Sequence, residues 1–275
     1  MKPAPFDYLR AGHIDEALDL LRREGGDARV IAGGQSLLPM LNMRLARPKV
    51  LLDVMHVPEL AEVREERGSL RIGAGVRQAQ VLGIENLARR QPLLAAGLSW
   101  VGHAQTRARG TVCGSIAHAD PSAELPLTLL TLGGEVHLRT AKKRRTLAAA
   151  DFMTGMMATA KADDEMIEAV SIPLARSGTG YAFNEIGRRH GDFAIVACAA
   201  MVDETRTVLG IGGVADMPAR RELPLPDAPD FADALNQFAW ELDARDDLHA
   251  SARYRRDLVR QMGARTIEEA ARCRA

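Results

Sequence analysis

The residues with the most chemistry in them sit in two runs of small side chains. In the first, VIAGGQSLL (30–38), a strand-like Val30–Ile31 runs into Gly33 and Gly34, followed by Gln35 and Ser36. Adjacent glycines at the end of a strand permit positive φ and let a ligand approach the backbone closely. Successive N–H groups in such a turn form an anion-binding concavity, to which Ser36 adds a hydroxyl donor. A phosphate or pyrophosphate cradle and a plain strand-to-helix turn both fit this segment. The second run is RARGTVCGSIAHADPSAELP (107–126), where Gly, Cys, Ser, Ala and Thr fill most positions from 110 to 117. Side chains that small let something press against the backbone. Arg107 and Arg109 stand just upstream, and Thr111 and Ser115 offer hydroxyls. Together the two runs suggest one long anionic ligand lying across two lobes.

Other groups carry less. Asp53 ends a strand-like VLLDV about where the ribose-binding acid of a dinucleotide fold would stand, but AGGQSLL lacks the G-x-G-x-x-G spacing. Asp53 therefore reads as a strand-end or turn residue. His118 and Asp120, two apart and with no other ligand cluster nearby, read as a turn before Pro121 rather than a metal site. Lys142–Arg145 reads as a solvated hairpin turn, since no aromatic residues are interleaved as a nucleic-acid surface would need. No nucleophile elbow, HExxH pair or carboxylate dyad is visible.

The elements that must position these groups follow from periodicity. HIDEALDLLRREGG predicts a helix capped by Asp15 and stopped by Gly25–Gly26. ARVI, VLLDV, SLRIG and MIEAVSIPL read as strands, and NLARRQPLLAAGLSWVG as a helix with Pro92 near its start. EVHLRTAKKRRTLAAADF reads as a hairpin. A break at ARSGTG (175–180) reads as a linker. YAFNEI, AIVACAAMV and VLGIGGVA then predict a sheet, RRELPLPDAPD a Pro-rich connection, and Phe231 onward helix throughout. The class is α+β: two strand-and-helix lobes, then a sheet followed by helices.

Composition bounds the rest. The 275 residues are 47% hydrophobic and 26% charged, as in a globular chain. Lys+Arg and Asp+Glu both number 36, without the basic excess of a nucleic-acid binder. The longest apolar run, FAIVACAAMV, is too short to span a bilayer, and MKPAPFDYLR shows no apolar signal core. The three cysteines, Cys113, Cys198 and Cys273, are isolated, so disulfides, zinc or an iron–sulfur cluster held by this chain alone are not expected. The expected location is the cytoplasm.

AGGQSLLPMLNMRLARPKVLLDV, RARGTVCGSIAHADPSAELP and RRHGDFAIVACA, in that order, resemble the FAD-binding medium subunit of molybdenum hydroxylases of the xanthine dehydrogenase and carbon monoxide dehydrogenase type. The resemblance covers essentially the whole chain. It implies a two-lobed FAD-binding domain of the vanillyl-alcohol-oxidase/PCMH type, with lobes at 1–57 and 58–176, and a C-terminal α+β domain at 177–275. It implies that the first loop wraps the FAD pyrophosphate, here Ala32, Gly33, Gly34, Gln35 and Ser36 with Ile31 and Leu37 flanking. The second loop falls on Thr111, Val112, Cys113, Gly114 and Ser115. A family acid falls on Glu124 and an apolar residue on Ile167. A position that is often lysine falls on Asn184. The G-D-[YF]-A segment falls on Gly191, Asp192, Phe193 and Ala194, with the aromatic near the flavin ring. Cys113 stands where the family has glycine and Ala108 where it has asparagine. A thiol there is expected to narrow the site or be open to oxidation. The resemblance further implies partners: a small subunit with [2Fe–2S] clusters and a large molybdopterin subunit, assembled as a dimer of heterotrimers. Neither nucleic acid nor membrane insertion is implied. The implied function is electron transfer through FAD from the partner's clusters to an external acceptor. The alternative is a self-contained FAD-dependent oxidase of related architecture.

Overall fold

The computed structural model of the chain describes residues 2–274. The first lobe runs β1 (Asp7–Arg10), α1 (Ile14–Glu24), β2 (Ala28–Ile31), α2 (Leu37–Asn42) and β3 (Val50–Asp53). Its sheet has the order β1-β3-β2 with both pairings parallel. All four residues of the central strand β3 are buried, as suits an apolar run covered on both faces. Ile14, Ala17, Leu18 and Leu21 form the buried stripe of α1, and Gly25 at φ +52° ends it. The N-cap is His13, so Asp15 lies inside the first turn and not at the cap; from there it reaches Arg139 of the second lobe at 2.7 Å.

The second lobe begins with β4 (Val63–Glu66) and β5 (Ser69–Gly73). Six helices follow: α3 (Gln78–Leu82), α4 (Leu87–Arg90), α5 (Pro92–Trp100), α6 (Ala104–Arg109), α7 (Val112–His118) and α8 (Glu124–Leu132). Then come β6 (Glu135–Arg139), β7 (Arg144–Ala148), α9 (Ala149–Phe152), the small hairpin β8 (Met153–Gly155) with β9 (Ala158–Thr159), and β10 (Met166–Pro173). The sheet order is β4-β5-β10-β6-β7, all antiparallel. Residues 87–100 are two helices and not one. Gln91 is extended between them, and its side chain caps α5 by accepting from Leu93 N–H. Extended backbone is what the residue before Pro92 prefers.

The third sheet takes β11 (Gly180–Ile186), β12 (Val196–Val202), β13 (Thr207–Gly212) and β14 (Ala219–Leu223) in sequence order, antiparallel throughout. α10 (Phe231–Glu241) and α11 (Ala252–Arg272) follow, so the C-terminal helical stretch is interrupted at 242–251. The segment expected as a Pro-rich connection begins as β14, because RREL extends the sheet before the prolines stop it.

α8 is the hub. Every residue from Leu125 to Leu132 is buried, the pattern of a helix enclosed on all sides. On one flank it meets the second sheet, on the other β13. The glycines of TVLGIG make the second contact possible. A Cβ on Gly210 would fall on Thr131 Oγ1, and one on Gly212 would stand 3.2 Å from Leu127 Cδ2. α11 covers the opposite face of the third sheet. Side chains of β11 and β12 therefore split by alternation: Phe183, Ala197 and Ala199 join the core shared with the first two lobes, and Val196, Cys198 and Ala200 join the core under α10 and α11.

Candidate functional site

The two small-residue runs come together. Gly33 sits so close to the second run that a Cβ on it would collide with the carbonyl of Arg109 and lie 2.7 Å from Gly110 Cα. Its lack of a side chain is thus required by contact between the loops, not by room left for a ligand. Gly34 is the conformational position, with φ +70°. Among the described residues, the N–H groups of Gly33, Gly34, Gln35 and Ser36 donate to no protein acceptor. Four successive free donors suit an anion. Ile31 and Leu37 pack in a small core with Leu41 and Leu51 and anchor the loop at both ends.

In the second run, Thr111 caps α7, its Oγ1 accepting from Gly114 N–H at 3.0 Å. A Cβ on Gly114 would stand 2.6 Å from that hydroxyl, so only glycine fits the capped turn. Val112, Cys113 and Ile116 face the core, which leaves Gly114 and Ser115 half-buried on the loop side. Cys113 is only 2% exposed, with Sγ 3.5 Å from the Ile72 carbonyl. Burial pushes its thiol up to about 12. The expected accessible, oxidisable thiol is therefore absent, because the first turn of α7 rotates this side chain under the helix.

The helix ends at Ala119, and Asp120 accepts from Ser122 N–H at 2.8 Å, a side-chain-closed turn. Asp120 is thus a turn residue while His118 is the last residue of α7, and no group of three or more metal-ligating side chains occurs among the described residues. Asp53 behaves likewise at the end of β3: it accepts from the Tyr8 hydroxyl and from Met55 N–H and pairs with Arg10. Arg144 and Arg145 of the basic run are tied to Glu168 and Glu165, which leaves Lys142 and Lys143 in the exposed hairpin turn.

Downstream, the segment after β11 loops out and returns at Ile195, whose N–H donates to Ile186. Gly191, at φ +85°, lies against the His103 ring at the start of α6, where a Cβ would come within 2.5 Å. Asp192 is paired with Arg189, and Phe193 is 72% exposed. Beside them opens a cavity of about 350 Å³ bounded by Ser122, Arg188, Phe193 and Arg255. Phe193 and Ser122 therefore border one space, although they are far apart in sequence.

Two further candidates, Ile167 and Asn184, are held by the core and by α11 respectively. Ile167 is buried in β10 at a bulge, inside the core. Asn184 points away from the loops: its amide donates to Glu269 at 2.6 Å and to Thr266 at 3.2 Å, both on α11. Alternation gives the opposite face to its neighbour Glu185. Phe183, on that same face, lies 3.7 Å from where a Cβ on Gly97 of α5 would be, and Thr128 of α8 meets the same point. Glu185 thus faces α8, where Glu124 starts the helix. Burial pushes Glu185 up to about 8, and the Glu124 charge adds to the effect. Burial likewise raises Glu124 to about 7, helped by Asp120 and opposed by its own N–H and Arg107. Glu185 is the residue that sequence reasoning passed over. Period-two alternation through YAFNEI, which puts Glu185 with the aromatic and not with Asn184, was the signal available.

Comparison with known proteins agrees with this geometry. The family described as "FAD binding domain in molybdopterin dehydrogenase" matches residues 4–175. The 6-hydroxypseudooxynicotine dehydrogenase complex subunit alpha of Paenarthrobacter nicotinovorans is 38% identical over 98% of this chain and 96% of its own length. The carbon monoxide dehydrogenase medium chain of Hydrogenophaga pseudoflava is 32% identical over 99% of this chain and all of its own. Among solved structures, quinoline 2-oxidoreductase from Pseudomonas putida 86 superposes with a TM-score of 0.91 at 32% identity, covering 99% of both chains. The chain belongs to the FAD-binding family of the molybdopterin dehydrogenases.

Proposed function

We propose that this chain is the FAD-carrying, electron-transferring medium subunit of a heteromeric molybdenum hydroxylase. The observation that carries the reading is the junction of the two loops, with four successive unbonded N–H groups at 33–36 beside the Thr111–Ser115 turn. FAD, when bound, supplies the electron storage; the protein supplies position and electrostatics. Ala32, Gly33, Gly34, Gln35 and Ser36 hold the pyrophosphate through backbone donors, with Ile31 and Leu37 fixing the loop. Thr111, Val112, Cys113, Gly114 and Ser115 close the other side. In this role Val112 and Cys113 support the loop from the core, and Gly114 and Ser115 face the ligand. Glu124, Asp192 and Phe193 border the flavin end. The orphaned carboxylate oxygen of Glu185 at that end fits a polar ligand edge. Ile167 and Asn184 serve from behind, by packing and by fixing β11 to α11.

The cofactor lies, on this reading, between a lobe formed by 1–57 and one formed by 58–176, with 177–275 as the third domain. Electrons enter from [2Fe–2S] clusters on a small subunit fed by a molybdopterin subunit, within a dimer of heterotrimers in the cytoplasm. Among the described residues no helix is long and apolar enough to cross a membrane. The test is co-purification of the chain with its partners, followed by cofactor and mass analysis. FAD on this chain, iron–sulfur and molybdenum on the others, and paired copies of each chain are expected. A chain that carries no FAD, or that turns over a small alcohol alone, would overturn the reading in favour of a scaffold or a stand-alone oxidase.

A further inference from the structure

We propose that the cavity beside Phe193 is a binding site for a small oxyanion, a carboxylate or phosphate group, held between Arg188, Arg245 and Arg255. The inference goes beyond the FAD reading, and the binding does not depend on it. The cavity, about 350 Å³, is walled by three stretches of chain. The turn before α8 contributes Ser122, and the segment after β11 contributes Arg188 and Phe193. The α10–α11 connection and α11 contribute Arg245 and Arg255. Such a space takes a phosphate or a small carboxylic acid.

The charges around this space do not balance. Arg188, Arg189, Arg245 and Arg255 border it with only two carboxylates, Asp192 and Asp247. Both carboxylates are taken. Asp192 pairs with Arg189 at 3.1 Å. Asp247 accepts from Arg255 at 2.5 Å and from the N–H groups of His249 and Ala250. Arg245 reaches Asp216 at 3.2 Å, but that carboxylate is 61% exposed, and such a pair contributes little. Arg188 is exposed and enters no ion pair among the described residues. Donors are unfilled as well. Arg255 is 2% exposed and is fixed by donating to the Ile195 and Gly213 carbonyls, yet its enclosed Nε–H meets no acceptor. The Nε–H of Arg245 is enclosed and unpartnered too. Enclosed donors without acceptors are costly, and in a native fold they point to a water or ion that completes them. The guanidinium fork matches carboxylate and phosphate geometry. An anion, unlike water, also neutralises the excess of positive charge.

A bound oxyanion bridges Arg188 to Arg245 and so ties the segment after β11 to the α10–α11 connection. That segment is already held at Gly191, against His103, and at Ile195, whose N–H donates to Ile186 and whose carbonyl accepts from Arg255. Arg188 and the 72% exposed Phe193 are the parts left for the anion to fix. On the FAD reading Phe193 stands at the flavin end, so occupancy of the cavity there sets how an external acceptor approaches.

The test is calorimetric titration of the full chain with inorganic phosphate and, separately, with benzoate, each at constant ionic strength. Wild type is expected to show a saturable site that Arg188→Gln combined with Arg245→Gln weakens about tenfold or more. Phosphate held by the 33–36 donors is untouched by those changes, so the difference between the two proteins reads this cavity alone. Arg23→Gln on α1 removes an equal charge elsewhere and should leave the binding unchanged. Binding of phosphate alone assigns a phosphate-bearing ligand, and binding of benzoate alone a carboxylic acid with an apolar body beside Phe193; either supports the site. A second readout needs no variant: the anion that binds should slow tryptic cleavage after Arg188 and Arg189 severalfold relative to chloride at the same ionic strength. No saturable binding of either anion, equal binding by wild type and the double variant, an equal loss in Arg23→Gln, or unslowed cleavage would overturn the proposal. A chain that binds no FAD contradicts the functional reading instead and leaves this titration as it stands.

Discussion

At the scale of the residue, the two adjacent glycines have different reasons to be there. Gly33 has no space for a side chain, because the Arg109 carbonyl occupies it. Gly34 has the wrong φ for one, and a Cβ there would already press on the flexible Leu38 side chain at 3.1 Å. Gly33→Ala should therefore destabilise the fold by about 1–3 kcal/mol through overpacking, read as a lower midpoint in denaturant. Gly34→Val should leave the fold largely intact and weaken FAD binding about tenfold or more, since strain of about 1–3 kcal/mol falls on the loop that must hold its donors in place. Retention of normal FAD affinity by Gly34→Val would remove the pyrophosphate from this loop. Cys113 yields a separate expectation. Enclosed and with its thiol pushed up to about 12, it should resist alkylation in the folded chain while the exposed Cys273 reacts. Mass spectrometry after a short pulse of iodoacetamide distinguishes them, and labelling of Cys113 at the rate of Cys273 would contradict the buried placement.

Alternation and enclosure decide matters at the scale of the element. The raised values of Glu124 and Glu185, about 7 and about 8, mean that the folded chain binds protons more tightly there than the unfolded chain does. Stability without ligand therefore falls as pH climbs from the ordinary carboxylate range through 8, the reverse of a salt-bridged acid. Glu185→Gln should raise the thermal midpoint at pH 8.5 and change it little at pH 5. A mutant that gains equally at both values would show that the effect is not titration. Legibility from sequence follows the same physics. The Gly33–Gly34 loop, the strands with apolar runs and the break at 175–180 were visible because local chemistry dictates them, whereas the second small-residue run, read as a loop, folds from Val112 to His118 as α7. β1 and β4 were missed because their residues, DYLR and VREE, are mostly exposed and carry no apolar alternation. β14 was hidden by the prolines that follow it. The contact of Gly33 with Arg109, the burial of Cys113 and the turning of Asn184 toward α11 depend on partners far along the chain. Nothing near them in sequence announces those contacts.

At the scale of the whole molecule, the five-stranded and four-stranded sheets pack on one enclosed helix, α8, whose first residue is Glu124 and whose preceding turn carries Ser122. On the proposed reading, the binding groups come from the first lobe, from the α6–α8 region and from the segment after β11, and the site needs all three docked. As a member of the FAD-binding family of the molybdopterin dehydrogenases, similar over its whole length to a carbon monoxide dehydrogenase medium chain, the chain is read as receiving its electrons from partner subunits. The most direct test of that account is to purify the chain alone and reconstitute it with excess FAD. Bound flavin is then counted per chain while aldehydes and aromatic N-heterocycles are assayed with an artificial acceptor. The account predicts one FAD per chain, with FMN unable to replace it, and no substrate turnover until the iron–sulfur and molybdenum partners are added. A colourless chain, or one that oxidises a substrate unaided, would contradict it.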